Sequence, residues 1–502
     1  MLKTLRIGNF KAFGEIQEIP LAPITLIYGP NSAGKSSIMQ SILLMSQSLA
    51  AEPFGESKLM FSGDLVDLGT FTSALHKHDV TLQMNLGFSF SSSRRGPFWG
   101  PPLRPRSLTR SIDISLELAP SNQRERHYNA RLSSVKYAFD EKGILSVELK
   151  RRQMTQGKDS DSPEVSMYRV ANMHSSISLV RFLRAKERAD FIESESNVAA
   201  LRAIVNKIEV SPEDAKMISR VNFSPYGFLP SFPYIPDIAN IDSISQDARG
   251  LSMASSPLEG IRREFSTEVQ SISYLGPLRS HPARHYLVSG ADTQSVGKQG
   301  EHMPQMLWRR KKDVVPKINE KFAEFQIPYK IDVKAVGDDI TGEIITIQLS
   351  DEAGITVSPA DVGFGIGQLL PILVEGVVSS GKTICVEQPE IHLHPKLQAH
   401  IADFLIETAK SFITPRQTGR SAKEFGGNQW IVETHSESLM LRLQKRISEG
   451  LPPDFVSVLY VQPMANGSSR VERLRLDKDG DFIDEWPDGF FEEGYREIFG
   501  GK

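Results

Sequence analysis

The chain has 502 residues, 40% of them hydrophobic, which is enough for a large core and, at a soft prior of about 150 residues per domain, for more than one lobe. Its 58 basic side chains against 61 acidic ones give a formal net charge of −3, which excludes a protein that coats polyanions over its whole surface and leaves room only for a local basic groove. The single cysteine, Cys385, excludes an internal disulfide and, inside an apolar run, reads as a small buried hydrophobe.

Met1 to Phe13 alternates apolar and polar residues and lacks the continuous apolar stretch of a signal peptide. The longest apolar run, Leu369 to Val378, is interrupted by Pro371, Glu375 and Gly376. No membrane segment and a cytoplasmic location are therefore expected.

Leu2 to Ile7 and Ile24 to Tyr28 read as strands around a turn near Gly14, and they lead straight into the next motif, so the N-terminus is expected in the nucleotide lobe. Gly29-Pro30-Asn31-Ser32-Ala33-Gly34-Lys35-Ser36, followed by Ser37, is a complete GxxxxGK(S/T) phosphate-binding loop between a β-branched apolar strand and a stretch of helical spacing. Gly29 and Gly34 let the backbone curl so that successive N–H groups face a phosphate, which also meets the positive end of the helix starting near Ser36. Lys35 is expected at the β/γ-phosphates of ATP and Ser36 at Mg²⁺. Ile38, Ile42, Met45 and Leu49 recur at helical steps, predicting one packed face. A chance Gly/Ser turn is the alternative; the agreement of strand, loop and helix argues against it.

From Leu82 to Gln153 the pattern alternates with period two, as in Ile112 to Leu118 and Leu145 to Lys150, predicting antiparallel strands with one solvated face. Between residues 91 and 110 lies a Gly/Pro/Ser-rich loop carrying Arg94, Arg95, Arg104, Arg106 and Arg110. Residues 175–220 have helical spacing without a heptad. Residues 222–240 mix prolines with aromatics and predict extended loop, the aromatics either buried beneath it or stacked on bases. From about Glu259 helices and strands alternate to the end, as in an α/β core completed by C-terminal sequence. The basic run Arg309 to Lys312 and the arginine loop are either solvated faces or contacts to a phosphate backbone. The acid-rich tail from Asp477 to Glu497 carries Phe482, Trp486, Phe490 and Phe491 and reads as a folded cap or docking element.

Thr383 to Glu387 is a short apolar strand ending in a carboxylate, the arrangement by which a Walker B acid reaches Mg²⁺, and Gln388-Pro389-Glu390 follows it. Upstream, Asp361-Val362-Gly363-Phe364-Gly365-Ile366-Gly367-Gln368 is a glycine-rich turn; downstream, Trp430 to Ser436 is a strand ending in Glu433-Thr434-His435-Ser436. His392 and His394 are either structural or metal ligands. Tyr274 to Arg279, with Arg284, forms either a loop near the phosphates or a surface salt bridge.

With these motifs the chain resembles the ABC-type ATPases of the SMC, RecF and OLD (overcoming lysogenization defect) group, as does its opening Asn9-Phe10-Lys11-Ala12-Phe13. The resemblance covers roughly 1–75 and 270–500. It implies an α/β P-loop NTPase of ABC type with a discontinuous core, an antiparallel β lobe and a helical insert. The expected division is 1–75 for the first part of the core, 76–270 for the insert, and 271–502 for the remainder with a C-terminal cap. It further implies that Gly365, Gly367 and Gln368 form the signature presented to ATP on a partner's phosphate loop, that His435 senses the γ-phosphate, and that the protein is a homodimer or higher oligomer.

Two departures matter. Glu387 is followed by Gln388, where the group has an acid followed by glutamate; an amide orients a water but takes up no proton, so Glu390 or Glu433 is left as a substitute base. The signature serine is replaced by glycine, leaving backbone N–H groups as donors. OLD nucleases carry a Toprim domain, whereas residues 437–502 are too few for one. The expectation is an ATPase without nuclease activity of its own, acting with a separate effector protein in DNA maintenance or antiviral defence, with DNA a further candidate partner. A nucleotide-gated switch with negligible hydrolysis and a P-loop kinase for a small molecule are the alternatives.

Overall fold

The computed structural model describes residues 1–51, 59–91, 109–118, 130–139, 145–151, 168–175, 222–223, 229, 259–287, 293–338, 342–410 and 427–487. The chain divides into two compact units. One comprises Met1–Ile19, Gln40–Ser271 and Ala465–Ser468; the other comprises Pro20–Met39, Ile272–Met464 and Ser469–Lys502.

The first unit is built on a sheet of order β2-β1-β4-β5-β6-β7-β8-β9, with β1 Leu2–Gly8, β2 Gln17–Pro20, β4 Met84–Phe90, β5 Arg110–Leu118, β6 Ala130–Phe139, β7 Leu145–Arg151, β8 Tyr168–Ser175 and β9 Asn222–Phe223. Pairings from β1/β4 to β8/β9 are antiparallel. The predicted period of two is realised along β5, where Ile112, Ile114 and Leu116 are buried and Asp113, Ser115 and Glu117 are half-buried. A helical segment at 259–270 covers the buried face, with the Phe265 ring 5.1 Å from Phe88 and 5.9 Å from Phe90.

This sheet corrects one expectation. The sequence places the N-terminal strand in the nucleotide lobe, whereas β1 pairs with β4 and belongs to the antiparallel sheet. Its residues mix buried Leu2, Leu5 and Ile7 with half-buried Lys3, Thr4 and Arg6, which suits a sheet solvated on one side and not a two-sided parallel core.

The second unit holds a six-stranded sheet of order β10-β15-β16-β3-β17-β18, with β3 Ile24–Tyr28, β10 Ser273–Leu275, β15 Thr383–Glu387, β16 Gln429–Glu433, β17 Val456–Pro463 and β18 Ser469–Leu474. Strands β10 to β17 run parallel and only β18 is antiparallel. Every residue of β3, β15 and β16 is buried, as continuous apolar strands covered on both faces require. This unit also holds helices α2 Met303–Arg309, α3 Lys311–Glu324, α4 Phe364–Val378, α5 Pro395–Lys410 and α6 Glu437–Ser448 and the first turn of α1 Lys35–Ala50, whose remainder from Gln40 belongs to the first unit. Leu369 and Leu373 of α4 and Phe404 and Leu405 of α5 share one core with Leu26, Ile384, Val386, Trp430 and Val432. Trp430 is fully buried and its Nε1 donates to Thr408 Oγ1 at 2.9 Å. A smaller sheet, β11 Tyr286–Leu287, β12 Lys330–Asp338, β13 Gly342–Ser350 and β14 Thr356–Val357, lies in the same unit.

α1 departs from the single packed face predicted for it. Met39, Leu43 and Leu44 are buried together with Ile38, Ile42, Met45 and Leu49, so the helix is enclosed nearly all round. In the tail, Trp486 packs edge-on against Tyr28 at 5.5 Å and Phe482 at 5.0 Å, which makes residues up to 487 a folded cap. The helical reading of 175–220, the arginines at 94–106, most of 222–240 and the tail beyond 487 lie outside the described residues.

Candidate functional site

The carboxyl ends of β3, β15 and β16 share one edge of the parallel sheet, the place where α/β folds bind ligands. At that edge β3 turns through Gly29 to Ser37 into α1. Gly29 has φ +143°, and a Cβ there would stand 2.3 Å from the carbonyl oxygen of Val461, so only glycine fits; Gly34 has φ +96°. Asn31 and Ser32 are exposed at the loop tip, Ser32 at φ +63°, while Pro30, Ala33 and Ser37 form its flanks. Lys35 is 5% exposed, and its Nζ donates to the carbonyls of Gly29 at 3.0 Å and Pro30 at 2.9 Å. Burial lowers its pKa, opposed by the charges of Glu433 and Glu390.

Register pairs Glu387 at the tip of β15 with Glu433 at the tip of β16. Ser36 Oγ donates to Glu433 Oε2 at 2.8 Å. Glu387 Oε1 instead accepts from Tyr274 Oη at 2.8 Å. Burial raises the pKa of both carboxyls; Tyr274, Lys298 and Arg279 counter it at Glu387, and Ser36 counters it at Glu433. Burial and then the Glu387 charge push the Tyr274 phenol well up, so it stays a donor. Lys298 Nζ lies 5.8 Å from the Tyr274 ring centroid.

Arg279 runs under this edge. Its Nη2 donates to Glu387 O at 2.8 Å and its Nη1 to Gln388 O at 3.1 Å, and burial lowers its pKa to about 10. Gln388 takes a left-handed conformation, φ +45°, with its N–H donating to Glu433 O at 2.7 Å. Glu390 accepts from Thr434 Oγ1 and from the His435 N–H, both at 2.7 Å. Burial and then Lys35 lower the His435 pKa, favouring neutral imidazole. Cys385, fully buried in β15, has its thiol pushed up to about 12 by burial, in keeping with an inert core residue.

Lys35, Ser36, Glu387, Gln388, Glu390 and His435 thus meet at one edge. The signature residues sit at the start of α4. A Cβ on Gly365 would stand 3.0 Å from the His392 carbonyl and one on Gly367 2.5 Å from Pro282, so both glycines permit close packing. Gln368 is buried and donates to the Arg279 carbonyl at 3.4 Å. Gly363, the N-cap of α4, supplies no side-chain cap.

Several alternatives left by the sequence separate here. Arg279 reaches the site, whereas Arg284 forms a two-pronged ion pair with Asp361 at 2.5 and 2.9 Å on the surface. His392 sits edge-on to Phe364 at 5.0 Å, and His394 Nδ1 accepts from the Lys396 N–H at the start of α5. Arg110 pairs with Glu264 at 2.9 Å, and Arg310 with Asp313 and Lys311 with Asp332, both at 2.7 Å, so each of these cations has a carboxylate partner within the chain. Sequence reasoning missed Lys298 altogether and treated Glu433 only as a reserve base. The signal was present: two neighbouring buried strands both end in glutamate.

An extra strand, β16, separates the phosphate-loop strand from the acid-ended strand β15, and fold and edge together define a P-loop ATPase core. The sequence profile of AAA ATPase domains matches residues 1–210 and 280–440, and the chain belongs to that family. The phosphate loop, the acid-ended strand and Thr434-His435-Ser436, on which the chain resembles the ABC-type ATPases of the SMC, RecF and OLD group, all lie within the matched residues. Residues 451–499 match a second profile, a protein of unknown function (DUF3696). Over 45 residues the chain is 47% identical to an OLD nuclease of Thermus scotoductus, a stretch covering 9% of this chain and 8% of that protein. Similar solved structures include the SMC head domain from Thermotoga maritima, 10% identical with a TM-score of 0.37, covering 95% of this chain and 99% of that one. Another is the Smc head domain bound to the C-terminal domain of ScpA from Pyrococcus furiosus, 14% identical with a TM-score of 0.38, covering 94% and 96%. Among the described residues no helix is long and apolar enough to cross a membrane.

Proposed function

We propose that the chain binds ATP with magnesium, hydrolyses it slowly, and assembles as a homodimer or higher oligomer around the nucleotide. The observation that carries this reading is the convergence of Lys35 and Ser36 with three carboxylates at one sheet edge. Lys35 exchanges the carbonyls of Gly29 and Pro30 for β/γ-phosphate oxygens, which restore the charge partner that burial denies it. The hydroxyl of Ser36 and the carboxylate of Glu387 are the hard oxygen donors that suit magnesium. Magnesium, when bound, neutralises charge on the β- and γ-phosphoryl groups. Gln388 orients the attacking water, Glu390 accepts its proton, and neutral His435 faces the γ-phosphate. Exposed Gly363 and half-buried Gly365, at a helix start without a side-chain cap, offer α4 to the nucleotide on a second copy, whereas Gly367 and Gln368 are buried and support that turn from within, against the expectation that they face the nucleotide.

The wider role we propose is a cytoplasmic sensor or scaffold in DNA maintenance or antiviral defence that works with a separate effector protein and is a candidate for DNA binding. The resemblance to the SMC, RecF and OLD group supports it, together with the short match to a protein named OLD nuclease. The test is release of free phosphate by the purified chain, with Lys35→Ala expected to reduce it by about 100-fold or more, the scale of losing one charge-stabilising donor. Release that Lys35→Ala leaves unchanged refutes hydrolysis at this site.

Gln388 favours a second reading, a nucleotide-gated switch with negligible turnover, because the residue after the acid cannot take a proton. Mass in solution that rises with ATP–Mg²⁺ while no phosphate appears selects it.

A further inference from the structure

We infer that Glu433, at the tip of β16, is the carboxylate that orients Ser36 toward the metal, so that the phosphate loop takes its acid partner from the strand beside it and not from β15. The inference rests on the ATP–magnesium reading above and adds a residue to it.

Topology supplies the first support. β16 lies directly between β15 and β3 and pairs with both, Glu433 standing opposite Glu387 on one side and opposite Ile27 on the other. Neighbouring strands are about 4.8 Å apart, so Glu433 stands one strand closer to the phosphate loop than Glu387 does.

Hydrogen bonding is the second. A serine hydroxyl has one proton to give and two lone pairs. Ser36 gives its proton to Glu433 Oε2 at 2.8 Å, which fixes the hydroxyl rotor and leaves its lone pairs turned away from that carboxylate, the arrangement a metal ligand needs. Glu387 is engaged on its other side: Tyr274 Oη holds its Oε1, Arg279 holds its main-chain oxygen, and Lys298 contributes positive charge. The two acids are therefore divided between two jobs. Glu433 holds the Ser36 hydroxyl, and Glu387, anchored by Tyr274 on the neighbouring strand β10 and by Arg279, remains the carboxylate that suits the metal.

The chemistry asks for charge at 433 as well as an acceptor. Gln at this position still accepts from Ser36 through its amide oxygen but adds no negative charge to the metal's surroundings. Asp keeps the charge and draws it back by one methylene.

The experiment titrates a fluorescent ATP analogue into the purified full-length chain with excess EDTA and again with Mg²⁺. Wild type, Glu433→Gln, Glu433→Asp, Ser36→Ala and the Ser36→Ala/Glu433→Gln double variant are compared. The expected result is that Glu433→Gln keeps its affinity in EDTA and loses about 10- to 100-fold of the tightening that Mg²⁺ gives, the scale of removing an outer-shell partner of a metal ligand. Glu433→Asp recovers part of that tightening, and the double variant loses no more than Ser36→Ala alone, because both changes remove one unit. Full Mg²⁺ tightening in Glu433→Gln, or in Ser36→Ala should the glutamine variant not fold, overturns the inference and leaves the ATPase reading standing. Wild type that binds no nucleotide under either condition overturns that reading, and the inference with it.

Discussion

The two sheets solve opposite problems. In the antiparallel sheet β5 buries alternate residues, so Ile112, Ile114 and Leu116 reach the core while Asp113, Ser115 and Glu117 are half-buried. In the parallel sheet β3, β15 and β16 bury every residue, and polar groups are pushed to the strand tips. A strand buried on both faces can carry a carboxylate only where it ends, and parallel strands end together. That is why Glu387 and Glu433 stand side by side, Glu433 bonded to Ser36, and why the proposed ATP site lies at this edge and not on the larger antiparallel sheet.

The largest effect that sharpens this contrast is in packing. Trp430→Ala, in the centre of the parallel sheet, is expected to lower stability by about 3–5 kcal/mol in urea unfolding. Lys136→Thr, on the solvated face of β6, is expected to change it by less than about 0.5 kcal/mol. Equal effects would break the distinction between a two-sided and a one-sided core.

A second effect is on pH. Burial raises Glu387 and Glu433 above the ordinary glutamate value of 4.5 against the pull of Tyr274, Ser36 and the nearby cations, so the folded, nucleotide-free protein holds these protons more tightly than the unfolded chain. The stabilisation this gives is complete below the unfolded value and is lost as pH rises through the folded one. The unfolding midpoint in EDTA is therefore expected to fall from about pH 4.5 toward neutrality. Glu387→Gln should flatten that fall, and a wild-type midpoint that rises over this range would contradict the burial argument.

The smallest effect is at the rim. Arg284→Ala removes an exposed ion pair with Asp361 and is expected to leave both the unfolding midpoint and phosphate release unchanged. A loss of turnover there would bring Arg284 back as a phosphate-loop residue.

Much of the site was legible in the residues. Ile24–Tyr28 and Thr383–Glu387 were read with the boundaries the structure has, because short β-branched runs ending in a glycine loop or an acid have little competing explanation. The phosphate loop was legible for the same reason. The place of β1 was not: a strand's alternation says that one face is wet but not which sheet it joins. Nor could sequence choose between Arg279 and Arg284, five residues apart in one loop, of which one is buried under Glu387 and the other pairs with Asp361 in solvent.

Local pattern by itself therefore determined the phosphate loop and the acid-ended strands, because each depends on the conformational needs of a few consecutive residues. Tertiary structure alone decided which acid answers Ser36. That choice follows from strand order, which inserts β16 between β15 and β3 and brings together residues 397 positions apart along the chain. Strand order is set by how whole faces pack, and no short stretch of sequence carries it.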